Sequence, residues 1–391
     1  MNRLKNLDYL IFIPYVILCA VGIVMVYSAS ANIGTQNGGS PLSYLVKQVA
    51  YVVMSFIIVM FMTAVNIDKL RNKSVLLFTW IVFIFALAGL LVFGKTVNGA
   101  AGWIPLGPIN IQPAEFVKFY LIIQIAHSIT SRSDDLMFSK REWCRVMVSI
   151  GFRALVLIVL IFLQPDLGGA AINFMIAFIM IMASGINWKY ALGSIGGLVA
   201  LVLFGIKFIL IPISHTSFAD SSYKIQRIIA FTDPFHHAQG AGQQLVNSYY
   251  AISNGGLFGV GLGNSIQKTG YLPEPNTDFI MSILTEELGA IAAVIVIGLV
   301  ALIVARTILL GTRSKSQFQS LICYGIATYI TIQTLFNIGG VVGLLPITGV
   351  TFPFVSYGGS SMLTLSLCLG LLLNISGRQR REREMTQLAV N

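Results

Sequence analysis

Long apolar runs follow one another along nearly the whole chain. A transmembrane helix takes about 20 apolar residues to cross ~30 Å of hydrocarbon, and most of these runs reach that length. Hydrophobic residues make up 56% of the chain and charged residues only 10%. The sequence therefore predicts an all-α polytopic membrane protein with about ten transmembrane helices. The predicted spans lie near residues 10–30, 46–66, 75–94, 113–129, 147–163, 168–184, 189–212, 279–305, 319–343 and 354–375.

Lys and Arg gather in alternate loops between these runs and in a basic tail over about residues 377–391. Loops rich in Lys and Arg stay on the cytoplasmic side, so both termini are predicted to be cytoplasmic. This distribution accounts for the net charge of +10, and no nucleic-acid partner is needed to explain it. The whole chain, 1–391, is predicted to form a single transmembrane domain.

One outer segment, about 213–278, is much longer than the other loops and separates predicted helices 7 and 8. Long loops on a compact scaffold usually carry function. Asp278 stands where this polar segment gives way to an apolar run, which places a carboxylate at the membrane interface. A simple helix N-cap is the alternative, but the long polar approach favours a functional acid. The other candidates in the segment are Lys224, Arg227, Gln243, Lys268, Glu274 and Thr277.

A Gln-Pro pair precedes an acid twice, in IQPAEFVKF and in LQPDLGGA, each time at the outer start of a predicted helix. Proline suits the first helical position, so Gln112 and Gln164 are predicted to be N-caps. Glu115 and Asp166 then either cap backbone donors in the first turn or take part in a site. The spacing alone leaves both interpretations open.

Lys118 lies one turn beyond Glu115 on the same helix face, at membrane depth. A buried cation there should face the bundle interior or a wet cavity. Two outward helix N-termini with Lys118 beneath them would form a positive pocket suited to phosphate or pyrophosphate. The competing interpretation is a Glu115–Lys118 ion pair that only holds helices together.

Glu286 and Glu287 are predicted to lie deep in the helix that follows Asp278, where they pair with a buried cation or line a cavity. The last outer turn, residues 336–363, is interrupted by glycines and prolines and includes Ser356. Irregular backbone at membrane depth borders protein or water, which also indicates a cavity. Close helix packing is a compatible role for any single glycine.

The four cysteines offer no pair on the outer side where a disulfide would form. Three lie in predicted helices and Cys144 lies in an inner loop, so four free thiols are expected. No cluster of metal-ligating residues is visible, and no dedicated metal site is predicted.

Five motifs together carry a family resemblance. They read NGAAGWIPLGPINIQPAEFVK, QPDLGGA, DPFHHAQGAGQQLVNSYYAISNGGLFGVGLGNS, YLPEPNTDFIMSILTEELG and GLLPITGVTFPFVSYGGSS. In this order they resemble the SEDS proteins, the family of FtsW, RodA and SpoVE. The chain is most similar to division-type members from Gram-positive bacteria. Many relatives have Arg before the Trp-Ile of the first motif, whereas this chain has Gly102 before Trp103.

The resemblance implies a peptidoglycan glycosyltransferase that polymerises lipid II into undecaprenyl-linked glycan. It would work in the bacterial cytoplasmic membrane, at the division septum if of the division type, with a class B penicillin-binding protein and other divisome proteins. Asp278 matches the essential acid of the family and is expected to act as general base. The residues expected to bind substrate are Gln112, Glu115, Lys118, Gln164, Asp166, Lys224, Arg227, Gln243, Lys268, Glu274, Thr277, Glu286 and Ser356.

Charge on the substrate pyrophosphate would be met by Lys118, Lys224, Arg227 or Lys268, or by Mg²⁺ or Mn²⁺ bound with the pyrophosphate. Three other functions stay open at this point. The chain could be an elongation-type RodA polymerase, a lipid II flippase that uses intramembrane charge, or a noncatalytic scaffold for the transpeptidase. The absence of an obvious inverted repeat and the concentration of motifs on the outer half weigh against the flippase.

Overall fold

A computed structural model describes residues 7–31, 41–94, 102–106, 109–131, 140–185, 188–205, 231–238, 240 and 242–390. Lys224 and Arg227 lie outside the described residues. The described residues form eleven α-helices and one small hairpin of β1 (Ile104–Leu106) and β2 (Ile109–Ile111). The helices are α1 (Tyr9–Ala29), α2 (Pro41–Ala64), α3 (Lys73–Phe93), α4 (Pro113–Thr130), α5 (Lys140–Leu163), α6 (Leu167–Met182), α7 (Trp188–Gly205), α8 (Gln243–Gly255), α9 (Ile280–Thr312), α10 (Gln317–Val341) and α11 (Gly359–Val390).

Each of the ten apolar runs overlaps one of these helices within the described residues, and α8 is the additional one. Six of the helices are long and apolar enough to cross a membrane, namely α1, α2, α3, α9, α10 and α11. Two shorter apolar stretches, Ile150–Leu163 and Leu167–Met182, lie within α5 and α6. The all-α polytopic class is therefore confirmed, while the number of ten spans stays a prediction.

The centre of the bundle is formed by α10 and α11. In their most apolar windows, 67% and 89% of residues are buried, against 17% in α3. The α11 helix packs mainly on α2, and α10 packs on α9, α6 and α4. Polar residues of α10 are thereby enclosed by protein, and the side-chain amides of Gln333 and Asn337 donate to backbone carbonyls there.

Two helix starts place the Gln-Pro motifs. Gln112 is the N-cap of α4 and Pro113 its first residue, as the sequence predicts. The prediction of Gln164 as an N-cap is wrong, because α6 begins at Leu167 and its N-cap is Asp166. The Asp166 Oδ1 atom accepts the Gly169 amide at 2.7 Å, so a carboxylate rather than the Gln-Pro pair defines the start of this helix.

The long helix α9 is broken at Gly289, where φ is 86° and ψ is 168°. The break frees backbone groups at membrane depth, where each needs a partner inside the protein. The segment 255–261 supplies them. The amides of Val260 and Gly261 donate to the carbonyls of Glu286 and Glu287 at 2.9 and 3.0 Å, and the Ala290 amide donates to the Gly256 carbonyl at 2.9 Å.

Glycines make this crossing sterically feasible. A Cβ atom on Gly255 would lie 2.1 Å from the Thr285 carbonyl oxygen, and one on Gly259 would lie 2.3 Å from that of Glu287. A Cβ atom on Gly289 would lie 2.2 Å from the Leu257 carbonyl oxygen. All three contacts are with backbone, which cannot move aside as a flexible side chain can. The broken helix and the segment 255–261 therefore form one interlocked unit.

We expect Gly289→Ala to lower the thermal unfolding midpoint strongly, because it adds a backbone clash to a positive φ that alone costs about 1–3 kcal/mol. The matched control is Gly298→Ala in the same helix, where an added Cβ has no neighbour within 4 Å. The midpoints of both variants and wild type would be compared in one detergent by intrinsic fluorescence. Equal midpoints for the two variants would contradict the interlock.

Candidate functional site

The backbone around Asp278 is held from several sides before α9 begins. The carbonyls of residues 276–278 each accept one hydrogen bond from the segment 337–357. The donors are the Tyr357 amide at 2.8 Å, the Ser356 hydroxyl at 2.7 Å and the Asn337 side-chain amide at 2.8 Å. Three consecutive bonds of this kind fix the position and direction of Asp278 relative to the end of α10.

Asp278 is half-buried and borders a small cavity of about 10 Å³. The cavity lies between the start of α9, the end of α10 and the segment 347–350. The N-cap of α9 is Phe279, so the interpretation of Asp278 as the N-cap residue itself is wrong. The helix begins two residues after Asp278, which leaves its carboxylate in the turn at the mouth of the bundle.

Glu274 and Thr277 belong to the same turn. The Thr277 hydroxyl is 3.1 Å from Glu274 Oε2, and the Glu274 carbonyl accepts the amides of Thr277 and Phe279. Glu274 has a φ of 53°, and its side chain is exposed. Both predicted residues therefore lie beside Asp278, with Glu274 facing outward. Ser356, by contrast, is buried and binds backbone, so its observed role is to position the turn.

The N-termini of α4 and α6, which are predicted to point outward, lie next to each other. The Gln112 Nε2 atom donates to Asp166 Oδ2 at 3.0 Å, which joins the N-cap of α4 to that of α6. The Gln112 amide also donates to the Ser360 hydroxyl in the first turn of α11 at 2.9 Å. Burial raises the pKa of the Asp166 carboxyl, and the Gly169 amide and Lys118 oppose that rise. Asp166 thus caps α6, which is one of the two roles that the sequence left open for it. Its bond with Gln112 also links the two Gln-Pro motifs.

Glu115 and Lys118 form a direct ion pair below these N-caps. The Lys118 Nζ atom is 2.6 Å from Glu115 Oε1, and the lysine side chain is only 1% exposed. The ammonium also lies 5.1 Å from the centre of the Tyr329 ring, whose hydroxyl is 3.4 Å from Glu115 Oε2. The ion-pair interpretation therefore describes the observed state, and the positive charge of Lys118 is neutralised within the bundle.

One face of α10 connects this ion pair with the Asp278 turn. Tyr329, Gln333 and Asn337 are spaced by four residues, which places them on one side of a helix. Gln333 donates to the Thr351 carbonyl at 2.9 Å and to the Ser361 hydroxyl at 3.0 Å. Eight residues of helix rise ~12 Å, so the ion pair lies about two turns deeper than Asp278. The structure thus brings the two predicted groups to one face without bringing them into contact.

Lys268 is engaged elsewhere. Its Nζ atom is 2.6 Å from Glu287 Oε1 and 2.9 Å from the Ser28 hydroxyl of α1. Lys268 is 5% exposed and Glu287 is 1% exposed. The expected pairing of Glu287 with a buried cation is therefore observed, and the partner is Lys268. The role of Lys268 in binding pyrophosphate stays a prediction to which this geometry lends no support.

Glu286 organises the loop that precedes the Asp278 turn. One carboxylate oxygen accepts the Asn254 side-chain amide at 2.9 Å and the Ile266 amide at 3.1 Å. The other accepts the Ser265 hydroxyl and the Gln267 amide. Glu286 is completely buried among these donors. It acts here as an internal cap for the segment 265–267, and substrate binding by Glu286 stays untested.

Gln243 and Gln164 lie apart from the Asp278 turn. Gln243 is the exposed first residue of α8, a helix tied to α9 by a 2.8 Å contact between the hydroxyls of Ser248 and Ser282. Gln164 is buried, and its Nε2 atom donates to the Leu87 carbonyl at 2.8 Å. A Cβ atom on Gly102 would lie 3.7 Å from both the Gln112 and the Gln164 side chains. Gly102 therefore faces the two Gln-Pro motifs.

Sequence reasoning missed Asn337. Its side-chain amide donates to the carbonyls of Asp278 and Val350, each at 2.8 Å, and thus joins α10 to both walls of the small cavity. Asn337 is 3% exposed. The signal that could identify it is an asparagine near the end of an apolar helix, directly before IGG. A polar side chain buried at such a position needs hydrogen-bond partners.

A family model described as cell cycle protein, FtsW/RodA/SpoVE, matches residues 8–381. A probable peptidoglycan glycosyltransferase FtsW from Lactococcus lactis subsp. lactis (strain IL1403) is 37% identical over 409 residues, with 100% of this chain and 97% of the relative covered. The corresponding protein of Bacillus subtilis (strain 168) is 38% identical over 380 residues, covering 96% and 92%.

Solved structures share the fold. A chain from a peptidoglycan synthase complex that coordinates polymerization and crosslinking aligns with a TM-score of 0.73 at 24% identity, covering 95% of this chain and 98% of that one. The rod shape determining protein RodA of Thermus thermophilus aligns with a TM-score of 0.66 at 25% identity, covering 95% and 96%.

We expect removal of one partner of the buried ion pair to destabilise the protein more than removal of both. Either Glu115→Gln or Lys118→Met leaves an uncompensated buried charge, at a cost of about 3–5 kcal/mol. The double variant leaves none, so its thermal unfolding midpoint should lie above that of either single variant. Additive losses in the double variant would show that the two charges do not depend on each other.

Proposed function

The chain belongs to the FtsW/RodA/SpoVE family, and we propose that it is a division-type peptidoglycan glycosyltransferase that polymerises lipid II at the outer face of the cytoplasmic membrane. Relatives named FtsW support the division type. The observation that carries the mechanism is the turn that holds Asp278 by three consecutive backbone carbonyls. An acid fixed in this way is preorganised to meet a substrate at the bundle mouth.

Asp278 is proposed as the general base. The acceptor is a sugar hydroxyl, a poor nucleophile, and a positioned base typically contributes about 10²- to 10⁴-fold in rate. Asp278 takes the proton from the GlcNAc 4-hydroxyl of the acceptor. At the same time the hydroxyl oxygen attacks the anomeric carbon of the donor. The bond from that carbon to the pyrophosphate oxygen breaks, and undecaprenyl pyrophosphate leaves. Direct displacement converts the α-linked donor into a β-linked glycan.

The negative charge that develops on the pyrophosphate needs a positive partner. Lys118 and Lys268 are both buried in ion pairs. We therefore assign this task first to Lys224 and Arg227, which belong to the same outer segment as Asp278. The two joined N-termini of α4 and α6 add partial positive charge at the outer end of the bundle.

A divalent cation is an alternative source of positive charge. Among the described residues there is no group of three or more His, Cys, Asp or Glu side chains that could hold a metal ion. Mg²⁺ or Mn²⁺ would therefore be held chiefly by the pyrophosphate itself, as is usual for Mg²⁺ at phosphate sites, with Asp278 as at most one protein ligand.

A class B penicillin-binding protein is the proposed partner, together with other divisome proteins at the septum. The support comes from the fold shared with a chain of a synthase complex that couples polymerization and crosslinking. A polymerase without a transpeptidase nearby would release uncrosslinked strands. The transporter alternative needs an open polar path past Glu115 and Lys118, yet these side chains are closed on each other in the described state.

We expect Asp278→Asn to reduce polymerisation of purified lipid II by at least about 10²-fold, because the amide cannot accept the proton. Wild type and variant would be assayed in detergent with the cognate class B transpeptidase, and glycan chains would be resolved by gel. Asp233→Asn, an exposed aspartate of the same outer segment, is the matched control and should retain full activity.

Complex formation and thermal midpoints would establish that every variant is folded. Equal polymerisation by Asp278→Asn and wild type would remove Asp278 as base. Inactive wild type in a complex of proven transpeptidase activity would favour the flippase or the scaffold.

We expect Asn337→Leu to lower kcat by about 10- to 100-fold, because a displacement near 1 Å at the reacting group has effects of this size. The matched control is Asn374→Leu. Asn374 is also buried and donates its amide to two backbone carbonyls, those of Met62 and Val65, at 2.8 and 2.7 Å. Both variants should lose comparable thermal stability, but only Asn337→Leu should lose turnover. Comparable turnover in the two variants would assign Asn337 a purely structural role.

A further inference from the structure

A second and larger cavity, of about 390 Å³, lies at the opposite end of the bundle from Asp278. It is open on one side and is lined by residues 7–10 at the start of α1, the last turns of α9 and the stretch 376–383 of α11. Basic residues crowd this end, where Arg378 also pairs with Asp68 before α3 at 3.3 Å. By the rule that basic loops stay inside, this is the cytoplasmic end.

Four arginines line this cavity, against a single carboxylate. The carboxylate, Asp8, is already engaged, because its Oδ2 atom is 2.8 Å from Arg306 Nε and accepts the Ser376 hydroxyl at 2.9 Å. The remaining lining arginines are Arg313, Arg380 and Arg383, of which Arg380 pairs with Glu384 at 3.3 Å. The cavity therefore keeps a positive excess from Arg313 and Arg383 after both ion pairs are counted.

Two of these arginines are particularly suited to bind an external anion. Arg313 and Arg383 are exposed, and neither forms an ion pair with a residue that the structure describes. They come from different helices, Arg313 as the C-cap of α9 and Arg383 from α11. Guanidinium groups from two elements can bind one phosphate through several parallel hydrogen bonds.

The edge of the cavity carries exposed apolar side chains. Tyr9 and Leu10 line it and are 56% and 51% exposed. The exposed face of α1 continues from them through Ile13, Val16 and Ile17, which recur at helical spacing toward the membrane centre. A phosphate bound by the arginines would therefore have an apolar track directly beside it, which a free anion would not use.

We propose that this cavity binds the phosphodiester headgroup of an anionic phospholipid from the cytoplasmic leaflet. Arg313 and Arg383 bind the phosphate, and an acyl chain lies along the exposed face of α1. Because the cavity joins α1, α9 and α11, an occupied site ties together the inner ends of three helices. It would stabilise the bundle at the end remote from Asp278.

The test uses the full chain in mixed micelles with increasing phosphatidylglycerol, and the thermal unfolding midpoint is the readout. We expect phosphatidylglycerol to raise the midpoint of wild type, whereas phosphatidylcholine and inorganic phosphate should not. The variant Arg313→Gln/Arg383→Gln should need about 30-fold more phosphatidylglycerol for the same effect, since each basic residue contributes roughly a factor of five.

The matched control is Lys315→Gln/Arg381→Gln. It removes the same charge from exposed neighbours on the same two segments, neither of which lines the cavity. This variant should respond to phosphatidylglycerol like wild type. If both double variants respond equally weakly to phosphatidylglycerol, the lipid is attracted by the general surface charge and not by this cavity. Stabilisation by inorganic phosphate as strong as that by the lipid would assign the cavity to a soluble anion. A wild-type midpoint unmoved by phosphatidylglycerol would overturn the proposal.

Discussion

A broken helix inside a membrane protein is tolerated only when other protein groups satisfy its backbone. In α9 the break at Gly289 is satisfied by the segment 255–261, which approaches so closely that its glycines exclude side chains. The acids next to the break, Glu286 and Glu287, then anchor the loop after α8 through Ser265 and Lys268. The turn that carries Asp278 lies between this loop and the start of α9. The broken helix therefore positions the chain on both sides of the candidate site.

The buried charges of this peptidoglycan glycosyltransferase are mostly structural in the described state. Glu115 and Glu287 each hold a lysine at 2.6 Å, and both lysines are almost completely buried. Such pairs stabilise only when both members are present. The Lys268–Glu287 pair also contacts Ser28 and so joins the loop after α8 to α9 and α1. The Glu115–Lys118 pair lies within α4 and contacts Tyr329 of α10. Both pairs leave Asp278 as a half-buried residue at the outer mouth of the bundle.

The sequence is sufficient for the helices and for the position of Asp278 just before a helix, because apolar length and a polar-to-apolar boundary are local signals. It failed where the structure depends on contacts between distant residues. The Pro that follows Gln164 predicts an N-cap at Gln164, but the helix starts at the residue after Asp166. The pairing of Lys268 with Glu287 and the bridge from Asn337 to Asp278 join residues 19 and 59 apart. No local pattern distinguishes such partners from ordinary buried polar residues.

The closed ion pairs also constrain how pyrophosphate can bind. Recruiting Lys118 or Lys268 would mean separating a buried pair and leaving a carboxylate alone, at a cost of about 3–5 kcal/mol. That cost would consume much of the energy that one phosphate contact supplies. A cation that arrives from the outer segment, such as Lys224 or Arg227, or a metal ion that arrives with the substrate avoids it. The catalytic charge is therefore best supplied at the outer surface of the bundle, on the same side as Asp278, rather than from its interior.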